Sequence, residues 1–185
     1  DETKLRQCLT NFLSNAFKFT KDGTVTLDIQ VEKKDEIEFI NFSVTDTGAG
    51  MSPEGVAKVF EEYTQAERST SANYGGTGLG LPISKRFAEM MGGDVNVSSE
   101  EGVGSVFSIA VPRECPEIND EIEEGVILKI EDNLKGLIGV ERITSVSREN
   151  SGSIIVEVEK ELDINFMLLE VKNALYRFPS YPIGM

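Results

Sequence analysis

Apolar and polar positions alternate with two different periods along this chain of 185 residues. Leu5, Cys8, Leu9, Phe12, Leu13 and Ala16 recur at helical spacing, which predicts an amphipathic helix over 3–19. Lys21, Asp22 and Gly23 read as a turn. Val25, Leu27, Ile29 and Val31 then alternate with polar residues, the period of a half-buried strand over 24–32. After polar 33–36 a second strand is expected at 37–45, with Phe42 and Val44 on one face, and Asp46 to Gly50 break it. Ser52 followed by Pro53 marks a helix start, because the serine oxygen can cap and a proline in the first turn forfeits no helical bond. That short helix should end near Phe60. Residues 64–78 are polar, small and glycine-rich, and read as a long mobile loop of the kind that carries function. Leu79, Ile83, Phe87 and Met90 predict another helix, stopped by Gly92 and Gly93, and two strands near 94–99 and 104–111 complete a hairpin.

The pattern changes where Pro112, Pro116 and several charges crowd together. A boundary placed there gives a first domain at 1–112, a linker at 113–120 and a second unit at 121–185. The second unit reads α-β-β-α: a helix at 121–136, strands at 140–147 and 153–159 around a turn at Ser151 and Gly152, and a last helix capped by Asp163. Two strands alone are marginal and leave edges unpaired, so this unit should pair with another copy or dock on the first domain.

Composition adds exclusions. With 39% hydrophobic and 27% charged residues the chain has enough apolar material for a core, as in soluble globular proteins. No apolar run approaches the roughly 20 residues of a membrane span, and no signal peptide opens the chain. Asp and Glu total 32 against 18 Lys and Arg, a net charge of -14 that argues against nucleic-acid or anionic-membrane binding. One small phosphate ligand held by local N–H groups remains compatible with that charge. Histidine is absent, so no imidazole can serve here as base, metal ligand or phosphoacceptor. Cys8 and Cys115 form no CxxC pair, as in a reducing compartment.

Four clusters carry candidate chemistry. Asn11, Asn15 and Lys18 fall at i, i+4 and i+7 on one polar helix face. A carboxamide oxygen suits Mg²⁺ and a lysine one turn away suits a phosphate oxygen, although a solvated helix face has the same pattern. Asp46 with Gly48 and Gly50 ends a strand; a buried carboxylate there can accept from an exocyclic amine, and glycines admit a flat ring to the backbone, as in any Asp/Gly turn. Gly75, Gly76, Gly78 and Gly80 lead into a helix, where converging N–H groups favour an anion or the glycines act as a hinge. This is neither a Walker A loop, since no Gly-Lys-Ser/Thr follows, nor a dinucleotide fingerprint, since no strand precedes it. Gly102, Gly104 and Ser105 form a tight turn that a plain hairpin would also use.

In order and spacing the four clusters together resemble the ATP-binding catalytic domain of sensor histidine kinases, in the GHKL superfamily that gyrase and MutL share. Residues 11–20 resemble the N box, 46–50 the G1 box, 60–63 the F box, 76–81 the G2 box and 102–105 the last glycine box. The resemblance implies an α+β, Bergerat-type sandwich, a mixed sheet with helices on one face. It implies ATP and Mg²⁺ as ligands, with Asn15 on the metal, Lys18 on phosphate, Asn11 ordering both, and Asp46 reading the adenine amino group. Gly48, Gly50 and Met51 would shape the adenine pocket. Tyr74, Gly76, Thr77, Gly78, Leu79, Gly80 and Ser105 would complete the site, with 64–78 as its lid. Phe60 and Tyr63 would anchor that lid in the core. The superfamily's ATPases carry a water-activating Glu four residues before the metal-binding Asn; here that place is Asn11, which cannot take a proton at neutral pH, so kinase is preferred over ATPase. The nucleophile would be a histidine on a dimerisation domain outside this chain. No catalytic residue is then expected in this chain beyond groups that position and stabilise the γ-phosphoryl, and a response regulator would be the further partner.

Residues 121–185 instead resemble the porter region of resistance-nodulation-division efflux permeases, through Gly136, Gly139, Glu141, Arg142, Ile143, Ser151, Gly152 and the run 170–175. That resemblance implies part of a ferredoxin-like fold on the periplasmic side, whereas a kinase domain works in the cytoplasm, so a joining of unrelated pieces is expected. The alternatives are a self-contained GHKL ATPase and a non-enzymatic assembly module that self-associates through 121–185.

Overall fold

The computed structural model describes residues 1–61, 79–113, 140–148 and 151–158. The expected loop at 64–78, the linker beyond Arg113 and the helices expected at 121–136 and from Asp163 lie outside these residues. Helix α1 (Glu2–Phe19) opens on Asp1, whose carboxylate accepts from the Lys4 N–H at 3.2 Å and pairs with Lys4 Nζ. Of the expected apolar stripe Cys8, Leu9, Phe12, Leu13 and Ala16 are buried and Leu5 is half-buried, and Phe17, outside that stripe, is buried as well. Helix α2 (Pro53–Lys58) is capped by Ser52, whose Oγ accepts from Gly55 N at 3.2 Å. It stops two residues before the expected Phe60. Helix α3 (Gly80–Met90) packs beside α1.

The strands are β1 (Gly23–Lys34), β2 (Ile37–Asp46), β3 (Asp94–Glu100), β4 (Gly104–Pro112), β5 (Val140–Arg148) and β6 (Ser151–Val158). They form one six-stranded sheet in the order β3-β4-β2-β1-β6-β5. The fold is α+β, as expected, but every described ladder is antiparallel rather than mixed. Alternation puts one residue in two on the helix-covered face. Register aligns those residues into rows across the sheet. One row runs Val97, Phe107, Val44, Leu27, Ile154, and a second runs Val95, Ile109, Phe42, Ile29, Gly152. Phe12 of α1 seats on the first row, its ring stacked 5.7 Å from that of Phe107.

The described part of the second segment does not stand apart. Strand β6 pairs with β1 along its length, from Gly23 opposite Val158 to Gln30 opposite Ser151, and β5 follows outside it. Of the two expected outcomes, pairing with another copy or docking on the first domain, the chain shows the second. The physical reason is the inner face of β6: Ile154, Val156 and Val158 are 2–3% exposed and join the same core cluster as Val25 and Leu27. Ser151 and Gly152 belong to β6 rather than to a turn.

Candidate functional site

A third row on the buried face differs in kind. It runs Ser99, Ser105, Asp46, Val25, Val156, Ile143, so three polar side chains sit together at the strand ends where the other rows are apolar. Asp46 is only 5% exposed. Its Oδ1 accepts from Gly48 N at 2.8 Å, and the N–H and hydroxyl of Ser105 also bond to the carboxylate. Burial pushes its pKa above the ordinary carboxylate value, and those three donors pull it partway back. Ser105 Oγ lies 3.0 Å from Ser99 Oγ, which donates to the Gly104 carbonyl at 2.9 Å and accepts from Met51 N at 2.8 Å. The carboxylate, both hydroxyls and the backbone at Met51 therefore form one connected network.

The loop after β2 is fixed from both sides. Ala49 N donates to the Phe19 carbonyl at 3.3 Å, and Gly102 N to the Ala49 carbonyl at 2.7 Å. A Cβ at Gly48 would collide with the Phe19 carbonyl and stand 2.8 Å from Asp46 Oδ1. Gly50 has φ +66°, and a Cβ there would strike the Glu100 carbonyl. Only glycine lets the end of α1, the 46–50 loop and the β3–β4 turn meet this closely.

On α1 the three polar residues divide. Asn11 faces α3: its Nδ2 donates to the Gly80 carbonyl at 2.9 Å and to Ser84 Oγ at 3.0 Å, while its Oδ1 accepts from Gln7 Nε2 at 3.1 Å. Asn15, half-buried one turn on, has no side-chain hydrogen bond among the described residues. Lys18 is half-buried with no ion pair among them; its Nζ lies 5.0 Å from the Phe19 ring centroid and burial lowers its pKa. Thr20 ends the helix with its Oγ1 buried and without a hydrogen-bond partner. At the start of α3, Leu79 provides no side-chain cap and the first turn holds no acid, so among the described residues no side chain caps that end.

The contacts fall into two groups: Asn11 with Gly80 and Ser84 across α1 and α3, and Asp46, Gly48, Gly50, Met51 and Ser105 where the 46–50 loop meets the end of α1 and the β3–β4 turn. Asn15 and Lys18 lie on α1 between Asn11 and Phe19, and Leu79 precedes α3. Tyr74, Gly76, Thr77 and Gly78 lie outside the described residues, as does Tyr63. Phe60 is half-buried against the core, with Lys85 Nζ 5.8 Å from its ring centroid. Sequence reading missed Ser84 and Ser99. Ser84 lies at helical spacing from Leu81, Phe87 and Ala88 on the inward side of α3, whereas Ile83 and Met90, expected to mark that helix, are exposed, and Ser99 continues the inward parity of Val95 and Val97. For a metal, no group of three His, Cys, Asp or Glu exists among the described residues. The donor set suits Mg²⁺ held by a carboxamide together with ligand phosphates and water, rather than a dedicated carboxylate cage. No described helix is long and apolar enough to cross a membrane.

Comparison with known proteins gives these contacts a family. Residues 1–115 match the family described as histidine kinase-, DNA gyrase B-, and HSP90-like ATPase. The chain is 44% identical over 117 residues to hybrid signal transduction histidine kinase B of Dictyostelium discoideum, covering 63% of this chain and 6% of that protein. It is 43% identical over 127 residues to the sensor protein GacS of Pseudomonas syringae pv. syringae, covering 68% of this chain and 14% of GacS. It is 33% identical over 187 residues to the aerobic respiration control sensor protein ArcB of Escherichia coli, covering 93% of this chain and 24% of ArcB. The chain spans at most a quarter of the length of these relatives. The match to 1–115, running through all four glycine and asparagine clusters, establishes that the chain belongs to the histidine kinase-, DNA gyrase B- and HSP90-like ATPase family.

Proposed function

We propose that residues 1–112 are the ATP- and Mg²⁺-binding catalytic domain of a sensor histidine kinase. In this reading the domain passes the γ-phosphoryl group to a histidine on a dimerisation domain that this chain, which has no histidine, does not supply. A response regulator would take the phosphoryl group next, and the kinase reaction would proceed on the cytoplasmic side, where ATP is. The observation that carries the proposal is Asp46. A carboxylate 5% exposed, held by Gly48 N and Ser105 beside backbone that only glycine can form, is a costly group to keep unless its remaining lone pairs serve a ligand. An adenine exocyclic amine is a donor of the right kind. Asn15 would hold the metal and Lys18 a phosphate oxygen, with the uncapped start of α3 at Leu79 and Gly80 facing the phosphates. When bound, Mg²⁺ would neutralise phosphate charge. Asn11 cannot act as a base, which supports kinase over self-contained ATPase.

The efflux-permease resemblance of 121–185 has no part in this reading. The three relatives reported above are signalling proteins, the ArcB alignment takes in 93% of the chain, and the described part of the segment extends the kinase-family sheet.

Calorimetric titration of the chain with a non-hydrolysable ATP analogue tests the proposal. One-to-one binding should depend on Mg²⁺, and Asn15→Ala should remove that dependence. Asp46→Asn should weaken binding about 10- to 100-fold, the worth of a hydrogen bond to a charged group. Absence of binding at millimolar analogue, or equal affinity for a guanine analogue, would overturn it. Release of phosphate at a steady rate from ATP, abolished in Asn11→Ala, would instead favour the ATPase.

A further inference from the structure

We propose that Asn11 is a positioning residue rather than a metal or phosphate ligand: it latches α1 to the first turn of α3 through Gly80 and Ser84. The proposal rests on the nucleotide-binding reading and assigns a different task to one of its residues. Donor counting fixes the orientation of the amide. The Gly80 carbonyl can only accept, so the group 2.9 Å from it is the NH₂ of Asn11. Ser84 gives its single hydroxyl proton to that same carbonyl at 2.9 Å, so its oxygen accepts the second amide proton at 3.0 Å. Gln7 Nε2, 3.1 Å from Oδ1, holds the amide in that flip from the other side. Both donors and one acceptor site of Asn11 are thereby engaged within the protein. Ser84 is 0% exposed and cannot reach a ligand, and Cys8 Sγ, 3.5 Å from the Ser84 carbonyl, closes the same contact. A Cβ at Gly80 would stand in ordinary van der Waals contact with the Asn11 amide, 3.4 Å from Cγ, so the two helices meet directly at this pair. Asn15, one turn along α1, lacks any such partner among the described residues. The latch therefore fixes the start of α3 against α1 one turn before Asn15.

Asn11→Asp separates the two roles. A carboxylate is at least as good a Mg²⁺ ligand as a carboxamide. Set against the Gly80 carbonyl it has no proton to donate, so the latch breaks. The test uses the full chain as wild type, Asn11→Asp, Ser84→Ala and Asn15→Ala, titrated with the non-hydrolysable ATP analogue with and without Mg²⁺. Amide exchange at Ile83, whose N–H bonds to the Leu79 carbonyl in the first turn of α3, is followed without nucleotide. Asn11→Asp and Ser84→Ala should each weaken binding about fivefold or more, by the same factor with and without Mg²⁺, and should speed Ile83 exchange about as much. Their effects should be non-additive when combined. Asn15→Ala should collapse the Mg²⁺ dependence and leave Ile83 exchange unchanged. The proposal is overturned if Asn11→Asp binds the Mg²⁺ complex as well as wild type does. It is equally overturned if either latch variant leaves Ile83 exchange unaltered. Ser84→Ala, which removes one hydroxyl, carries the test if Asn11→Asp does not fold. A wild-type chain that binds no nucleotide sinks the function proposed above, and Ile83 exchange then decides the latch alone.

Discussion

Asp46 shows what a binding group costs its own fold. Burial holds the carboxyl above its ordinary 3.8 despite donors from Gly48 and Ser105. An acid with a raised folded pKa favours the folded state while protonated. Its contribution is present in full below 3.8 and is lost as pH rises through the folded value. At pH 7 the ionised side chain therefore weakens the fold. Asp46→Asn should melt higher than wild type at pH 7, with the gap closing as pH falls toward 3.8. A variant that melts lower at every pH would show instead that the bonds from Gly48 and Ser105 outweigh burial. Cys8 gives a contrasting case. Its thiol is fully buried and pushed up to about 11, mainly by burial, so alkylating reagents should label it only on unfolding. Labelling of native Cys8 at neutral pH, followed by mass spectrometry, would contradict that.

Among the elements, β6 has the most to explain. Its inner side chains continue two rows of the core, and Ile154 is 2% exposed opposite Leu27. Ile154→Ala should cost about 2–5 kcal/mol in denaturant unfolding, as for any buried aliphatic truncation. A cost near zero would mean that β6 lies on the sheet without helping to hold it. The strands themselves were readable, because period-two alternation at Val25, Leu27 and Ile29, or at Val95 and Val97, depends only on which face is buried. The helix starts were readable from Ser52 and Pro53. The neighbour of β1 was not, because an edge pairs through backbone groups that every sequence shares. Gly152 looked like a turn residue for the same local reason, yet it lies in the buried row opposite Ile29. Asp46, Gly48 and Gly50 were legible in the candidate site because their chemistry is local. The separation of Asn11 from Asn15 and Lys18 was not: helical spacing puts all three on one face and is silent about what α3 brings to it.

For the molecule as a whole, the question is whether the hairpin from the second segment shares the stability of the family sheet. Strand β1 lies between β2 and β6, and its inner residues Val25 and Leu27 touch both neighbours in the rows. Burial is the same on either side: Val44 of β2 is 0% exposed, and Val156 of β6 is 3% exposed. Releasing β6 would expose apolar surface on β1 as well as its own, so partial opening should gain little entropy for the surface it uncovers. Native-state amide exchange reads this directly. Ladder amides of β6 should exchange through the same global opening as those of β2, with the same dependence on low denaturant. Exchange of β6 through a smaller, denaturant-insensitive opening, with β2 still protected, would make the hairpin an appendage. The first outcome places β1 to β4 and the strands β5 and β6 in one cooperative unit. A mutation at Ile154 would then weaken the network around Asp46, which lies on the same face two strands away.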